Sequence, residues 1–306
     1  MARCIAHFRL LSRGAIAGCC AFVLALAVAG PVRAQAGMEG DTVTAAASSA
    51  SSASSAAPTV ASATPPDDGG VFGNHTDVSI GMGAGLDQRY MGARAFRPLL
   101  VPMLNVSRGI FFADTTRGAG IQYQSASGFY IGEALNYDTG RDDGDNWLRP
   151  GADRLARLGS VKGSLTSTLT VSQQIVSWLS ANAQAEFGLD GRRGNQYQLG
   201  LESIAARGTQ DPVTLDANVK LGDRRYNQTY FGVTRAQSVN SGYDGYAPGG
   251  GVYAYALSVT WDHHFDRHWT GELIVSGSFY TDKAANSPIA QRRVGVTVLP
   301  SVSYAF

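Results

Sequence analysis

Cysteine is missing from this chain beyond residue 20, and the only three, Cys4, Cys19 and Cys20, sit close to the start. There Arg3, Arg9 and Arg13 flank an apolar run, 15–30, and the small residues of "PVRAQAG" follow it. This is the layout of a secretory signal peptide, cut after Ala34 or, the favoured site, after Ala36. A lipoprotein box at "IAGC" (16–19) is disfavoured, because Arg13 leaves few apolar residues before Cys19. The exported chain then has neither thiol nor disulfide. Thiol catalysis and cysteine-based metal centres are excluded, and the fold is not stapled by disulfides.

Long apolar runs are missing too. After the signal no window reaches the roughly 20 apolar residues of a membrane helix. Excess positive charge is the third absence. Four of the 25 basic residues (Arg3, Arg9, Arg13, Arg33) and none of the 24 acidic ones lie in 1–36, so the remainder is slightly acidic. Such a balance argues against a nucleic-acid partner.

What the chain does have falls into two textures. Residues 37–70 are mostly Ala, Ser, Thr and Pro, as in "AAASSASSASSAAPTVASATPP". A stretch with so little to bury cannot offset its ordering entropy, and a disordered spacer is expected, semi-stiff at Pro65 and Pro66. From residue 71 to 306 the pattern alternates with a period of two. In "VTLDANVKLG", Val213, Leu215, Ala217, Val219 and Leu221 share one face, with Thr214, Asp216, Asn218 and Lys220 on the other. "LSANAQAEF", "YAYALSVTWD" and "WTGELIVSGSFY" repeat it, with aromatic residues near the segment ends.

Segments of this length suit a tilted membrane crossing of roughly 9–11 residues better than the shorter strands of a soluble sandwich. Without membrane helices, a closed sheet is the remaining way to satisfy backbone polar groups in lipid. The expected fold is therefore all-β, an antiparallel transmembrane β-barrel of the bacterial outer membrane, with outer-membrane lipid around it. Eleven strand starts are legible: Asp77, Leu99, Gly118, Phe129, Val161, Leu179, Gln196, Val213, Tyr253, Trp269 and Val294. Counting "IFFAD" (110–114) gives about twelve, an even number that returns both ends to the periplasm, and ten is the fallback. Long polar links such as "DTGRDDGDNWLRPGADRLAR" and "TDKAANSPIAQRR" should face outward, and short ones such as "SASG", "QQIVS", "ARGTQD" and "HHFDRH" the periplasm.

The last residues, "LPSVSYAF", place Val302, Tyr304 and Phe306 on one face. This resembles the C-terminal strand signal of bacterial outer-membrane proteins, which implies the barrel-assembly machinery as a partner. Further segments carry a family resemblance: "FRPLLVPML", "GEALNYDTGRDDGDN", "YNQTYFGVTRAQSVNSGYDGYAPGGG" and "ANSPI". The most distinctive is "TYFGV" (229–233), followed by "AQS" and a Ser-Gly pair. From residue 78 to 306 the chain resembles the MltA-interacting protein family (MipA/OmpV), and the spacer lies outside the match. The resemblance implies a barrel that acts as a scaffold for a lytic murein transglycosylase and a murein synthase. Other members are described as osmoregulated or adhesive outer-membrane proteins, so a small-solute channel or a surface-binding protein is the alternative.

Several local features have two readings. Asp262, His263, His264, Asp266 and His268 carry metal-like chemistry, but their spacing matches no ligand pattern and a polar hairpin is favoured, so no metal or cofactor is expected. The lumenal set Gln184, Glu186, Glu202, Asp216, Lys220, Asp262 and Glu272 mixes signs and either pairs to fill the lumen, the favoured case, or lines a narrow channel. "GMGAG" (81–85) sits within a strand pattern and opens no helix, so it is read as small residues at a bend of the wall. Tyr226, Tyr230, Phe231, Tyr243 and Tyr246, with neighbouring arginines, form either an external binding surface or an inward plug. No nucleophile is paired with a base, so enzymatic activity is not expected.

Overall fold

The computed structural model describes residues 70–306, except 147, 148, 208 and 209. The expected signal segment and spacer lie outside the described residues, save for Gly70. Twelve strands form one closed antiparallel barrel: β1 (Asp77–Gln88), β2 (Phe96–Arg108), β3 (Phe111–Asp114), β4 (Gly118–Gln124), β5 (Phe129–Asp138), β6 (Ser164–Val176), β7 (Leu179–Gly188), β8 (Gln196–Arg207), β9 (Pro212–Gly222), β10 (Gly251–His264), β11 (Trp269–Tyr280) and β12 (Val294–Ala305). Each strand pairs with its sequence neighbours, and β1 closes on β12 with Ser79 opposite Ala305.

The alternation of the sequence becomes the two faces of the wall. Ile80, Met82, Leu199, Leu201, Leu257 and Val296 are exposed on the outer face, whereas Thr166, Thr168, Asn182, Asn218 and Ser276 are buried inside. That is the inverse of a soluble core and fits a wall facing lipid. Outward aromatics gather at the two strand ends: Phe96, Tyr137, Phe187, Tyr197, Tyr255 and Phe279 at one, Phe111, Tyr123, Trp261, Trp269 and Tyr304 at the other. Such girdles mark the two membrane interfaces. Among the described residues no helix is long and apolar enough to cross a membrane, and the strands do the crossing. Glu133 is an exception on the outer face, exposed between Ile131 and Leu135, where its Oε1 accepts a 3.0 Å bond from Ser167 Oγ.

"IFFAD" is a strand, but a short one. Asp114 Oδ1 accepts from the amides of Thr116 and Arg117 and from Thr116 Oγ1, which turns the chain early into β4. β3 therefore reaches only the level of Asn105 on β2. Four residues rise about 13 Å, against an apolar band of about 25 Å, so the wall is notched here. The side of β2 above the notch is suited to it. Leu104 directs both its N–H and its C=O at Thr115, and alternate residues face the same way, so Pro98 and Pro102 stand where no ladder donor is needed. This also explains why β2 begins at Phe96 rather than at the expected Leu99.

Other boundaries move for local reasons. Val161 makes only an isolated bridge with Arg141, and β6 starts later, at Ser164. "QQIV" continues β6 rather than turning, and the short link is Ser177 and Trp178. The links between strands are short at the end holding Asp77 and Ala305 and mostly long at the other, which orients the barrel with its short turns toward the periplasm.

Candidate functional site

The long-loop end is built as a plug. Two helices follow β9, α1 (Arg224–Phe231) and α2 (Arg235–Ser241), and a third, α3 (Asp282–Ala285), follows β11. None was anticipated from the alternation, though the caps of α1 and α2 were there to be read. Asp223 accepts from Tyr226 N at 2.7 Å, and Thr234 with Gln237 makes a capping box. α2 ends on Gly242 in the left-handed region, φ 80°, where glycine is unstrained.

Two apolar clusters fill the mouth beneath these helices. Tyr226, Tyr230, Phe231, Tyr253, Ala254, Tyr280 and Ala284 form one, and Tyr90, Ala93, Leu155, Leu158, Val233 and Ile289 form the other. Four separate loops contribute. Polar bonds tie them across the opening: Arg141 Nη1 donates to Tyr230 O (2.8 Å), Tyr90 Oη to Ile289 O (2.9 Å), Gln237 Nε2 to Leu158 O (2.6 Å) and Gly151 N to Arg89 O (2.8 Å). Arg89 also pairs with Asp145. Burial pushes the Tyr226 phenol well above its usual range, and lowers the Arg141 guanidinium from its own.

Of the two readings of the loop aromatics, the structure presents the plug. Tyr226, Tyr230 and Phe231 are buried, and Tyr243 and Tyr246 are half-buried. The Tyr243 hydroxyl donates to Arg154 O and that of Tyr246 bonds the carbonyls of Asp282 and Lys283. These bonds span 89 and 36 residues of sequence, which is why sequence order alone left the choice open.

Below the plug the lumen is crowded with polar groups. Arg193, with a side chain 3% exposed, pairs with both Asp138 and Glu186, and Glu186 also accepts from Gln196 Nε2 at 3.1 Å. Gln184, Glu186, Gln196, Gln198, Lys220 and Tyr253 surround a void of only about 10 Å³. Asp216 accepts from Ser258 Oγ at 3.4 Å, and Glu272 from Ser301 Oγ at 3.3 Å. Glu202 lies opposite Asp216, and Asp262 opposite Glu272. All seven expected lumenal residues thus face inward. On the opposite wall Asp87 and Arg97, each 1% exposed, approach to 3.8 Å, and Thr297 Oγ1 donates to Asp87 at 2.8 Å. Next to them Leu99, Val101, Ile274 and Leu299 make an apolar inner patch that alternation did not distinguish from the outer face.

The short-turn end differs in character. Val71, Phe72, Ile175, Trp178, Phe265 and Phe306 are exposed along its rim. Phe72 stacks on Phe111 at 5.7 Å, and Ile110 N donates to Val71 O, so the chain entering β1 is held against the β2–β3 turn. In "DHHFDRH", Asp266 Oδ1 accepts from His268 N and Trp269 N at 2.7 and 2.8 Å, His263 Nδ1 lies 2.7 Å from Asp211, and His264 Nδ1 is 3.0 Å from Thr270 Oγ1. The segment is a hydrogen-bonded hairpin, and among the described residues no three His, Asp or Glu side chains converge as a metal site would require. Tyr304 stacks on His268 and meets Trp269 and Phe306 edge to face, which places the outward trio Val302, Tyr304 and Phe306 on this rim. In "GMGAG" a Cβ on Gly81 or Gly85 would collide with the β12 backbone, so these glycines permit close approach at the closing seam.

The family model described as MltA-interacting protein MipA matches residues 80–306. No curated protein matches the chain. Solved structures that it resembles include the Pseudomonas putida toluene transporter TodX (10% identity, 79% of this chain and 92% of that one, TM-score 0.37). The NanC porin (9% identity, 75% and 99%, TM-score 0.39) and the translocator domain of the Neisseria meningitidis autotransporter NalP (12% identity, 76% and 89%, TM-score 0.37) are others. Likenesses at this level carry no argument about activity.

Proposed function

The chain belongs to the MltA-interacting protein MipA family, and from that premise we propose that it is a non-catalytic scaffold for murein-remodelling enzymes at the outer membrane. The partners are a lytic murein transglycosylase and, through it or beside it, a murein synthase. The contact surface is the periplasmic rim of short turns together with the spacer 37–70, since a periplasmic enzyme cannot reach the outer loops.

The observation that carries this reading is the closed mouth. Apolar clusters from four loops cover the long-loop end, and buried polar pairs fill the lumen below. A channel needs an open path, and a loop surface built on Tyr226, Tyr230 and Phe231 would need those rings exposed, whereas they are buried. The rim, by contrast, exposes Phe72, Trp178 and Phe265, the residue types that anchor protein contacts. The outward trio Val302, Tyr304 and Phe306 serves an earlier step in the same proposal, as the strand-end signal offered to the barrel-assembly machinery.

Crosslinked affinity purification from intact envelopes, with quantitative mass spectrometry against an unrelated barrel, tests the scaffold. Selective enrichment of a murein transglycosylase or synthase supports it. Enrichment equal to the control, together with steady conductance in planar bilayers, replaces it with the channel.

A further inference from the structure

The outer wall is indented where the barrel closes. β1 and β12 pair from Ser79 opposite Ala305 to Gly83 opposite Ser301, and again at Leu86 opposite Val298. Between these points the ladder lapses, with Ala84 and Gly85 running past Leu299 and Pro300. A groove of about 590 Å³ lies there, its outward lining formed by Ala84, Leu86, Pro98, Leu100, Val298 and Pro300. The size falls within the roughly 300–1,000 Å³ of small-molecule sites. Behind it lie Gly85 and the inward residues Arg97 and Leu99, and its flanks carry two proline rings with fixed φ, so the hollow is preformed.

The groove belongs to the half of the wall nearer the long loops. Leu86 is two residues from the end of β1, and Pro98 is two residues into β2. Directly above, the β1–β2 loop and the segment preceding β12 are bonded together. Arg94 N donates to Gln291 Oε1 at 2.9 Å, and the amides of Gln291 and Arg292 both donate to Gly92 O at 2.8 and 3.0 Å. This joint ties together the two segments that carry Arg94 and Arg292, both exposed, and among the described residues neither makes an ion pair. The neighbouring Arg293 is taken by Asp282 at 2.6 Å. Arg94 lies in the bend just before β2, and Pro98 is the third residue of that strand, so the arginine sits at the loop end of the groove.

We propose that this seam is a specific site for a phosphorylated, multi-acyl glycolipid of the outer leaflet. One acyl chain occupies the Ala84–Pro300 groove, and a phosphate is held by Arg94 and Arg292. Paired guanidinium groups suit phosphate in geometry and charge, and the leaflet on the long-loop side is the one made of such lipid. A second copy of this chain is the poorer occupant. A two-fold contact through the seam would bring the arginines of both copies to one depth and set like charges together.

Native mass spectrometry of the full chain in detergent provides the test, with bis-phosphorylated lipid A, its dephosphorylated form and phosphatidylglycerol as probes. Wild type is expected to retain the bis-phosphorylated form about tenfold better than an Arg94→Ala/Arg292→Ala double variant does, the scale of two charge-assisted contacts. Ala84→Phe, which fills the groove from its outward face, should lose retention similarly, and the dephosphorylated probe should bind wild type as weakly as the phosphorylated one binds the double variant. Heat-modifiable migration on gels confirms that each variant is folded. The proposal is overturned if folded variants retain the lipid as well as wild type does, if phosphatidylglycerol is preferred, or if wild type is a dimer that Ala84→Phe converts to monomer.

Discussion

Truncating Phe231 to alanine separates a sealed barrel from a gated pore. Phe231 ends α1 at 1% exposure, its ring centroid lies 5.4 Å from that of Tyr253, and its carbonyl accepts the Ser287 hydroxyl. Removing a buried phenylalanine costs about 3–5 kcal/mol. The loss falls on the plug rather than on the wall, whose strands keep their ladders. At about 1.4 kcal/mol per factor of ten, the population with an open mouth should rise at least a hundredfold. Planar-bilayer recording reads the consequence for conduction, and both proteins should stay silent, because the Asp138–Arg193–Glu186 pairs still fill the lumen below the plug. Amide exchange across α1 should nonetheless accelerate. The reasoning is refuted if either protein conducts steadily, or if α1 exchanges at the same rate in both.

Three further outcomes follow from single side chains. Glu133 sits mid-strand on the lipid face, bonded to Ser167 and flanked by Ile121 and Leu169 on the adjoining strands, so Glu133→Leu should raise stability in vesicles by about 1–2 kcal/mol in a urea titration, and a loss would indicate a partner there. The Asp266 carboxyl is held below its ordinary range by the backbone amide of Trp269 and then that of His268. A depressed folded value stabilises the turn above the unfolded carboxylate range and loses that contribution as pH falls through the folded value, so protection of the His268 and Trp269 amides should fade on acidification. In Asp266→Asn that pH dependence should disappear, and its persistence would point to another group. Phe306→Ala should lower the fraction of heat-modifiable, assembled barrel in the envelope, and full assembly would remove the trio's proposed signalling role.

The wall was legible from the sequence because lipid on one side and a lumen on the other force a period of two, and β7, β8, β9 and β11 begin within a residue of where alternation places them. β3 was legible only as an ambiguity, since its length is set by the Asp114 turn and not by any apolar pattern. The plug was not legible in its contacts. Tyr90 and Ile289 meet across 199 residues, and no local spacing encodes such a pair. Yet its helices had left signs in the Asp223 and Thr234 caps, hidden by attention to alternation. Lumenal facing was predicted correctly for Glu186 and Lys220, but the partner of Glu186, Arg193, comes from a loop and so carried no strand-pattern signal.

The scaffold claim is tested most directly by position-resolved photo-crosslinking in living cells, with the probe placed in turn at Phe72, Trp178 and Phe265 on the short-turn rim and at Val239 and Tyr243 on the long loops. The account predicts adducts with a murein transglycosylase or synthase from the rim positions and none from the loops. Adducts from the loops alone, or rim adducts containing no murein enzyme, would contradict it.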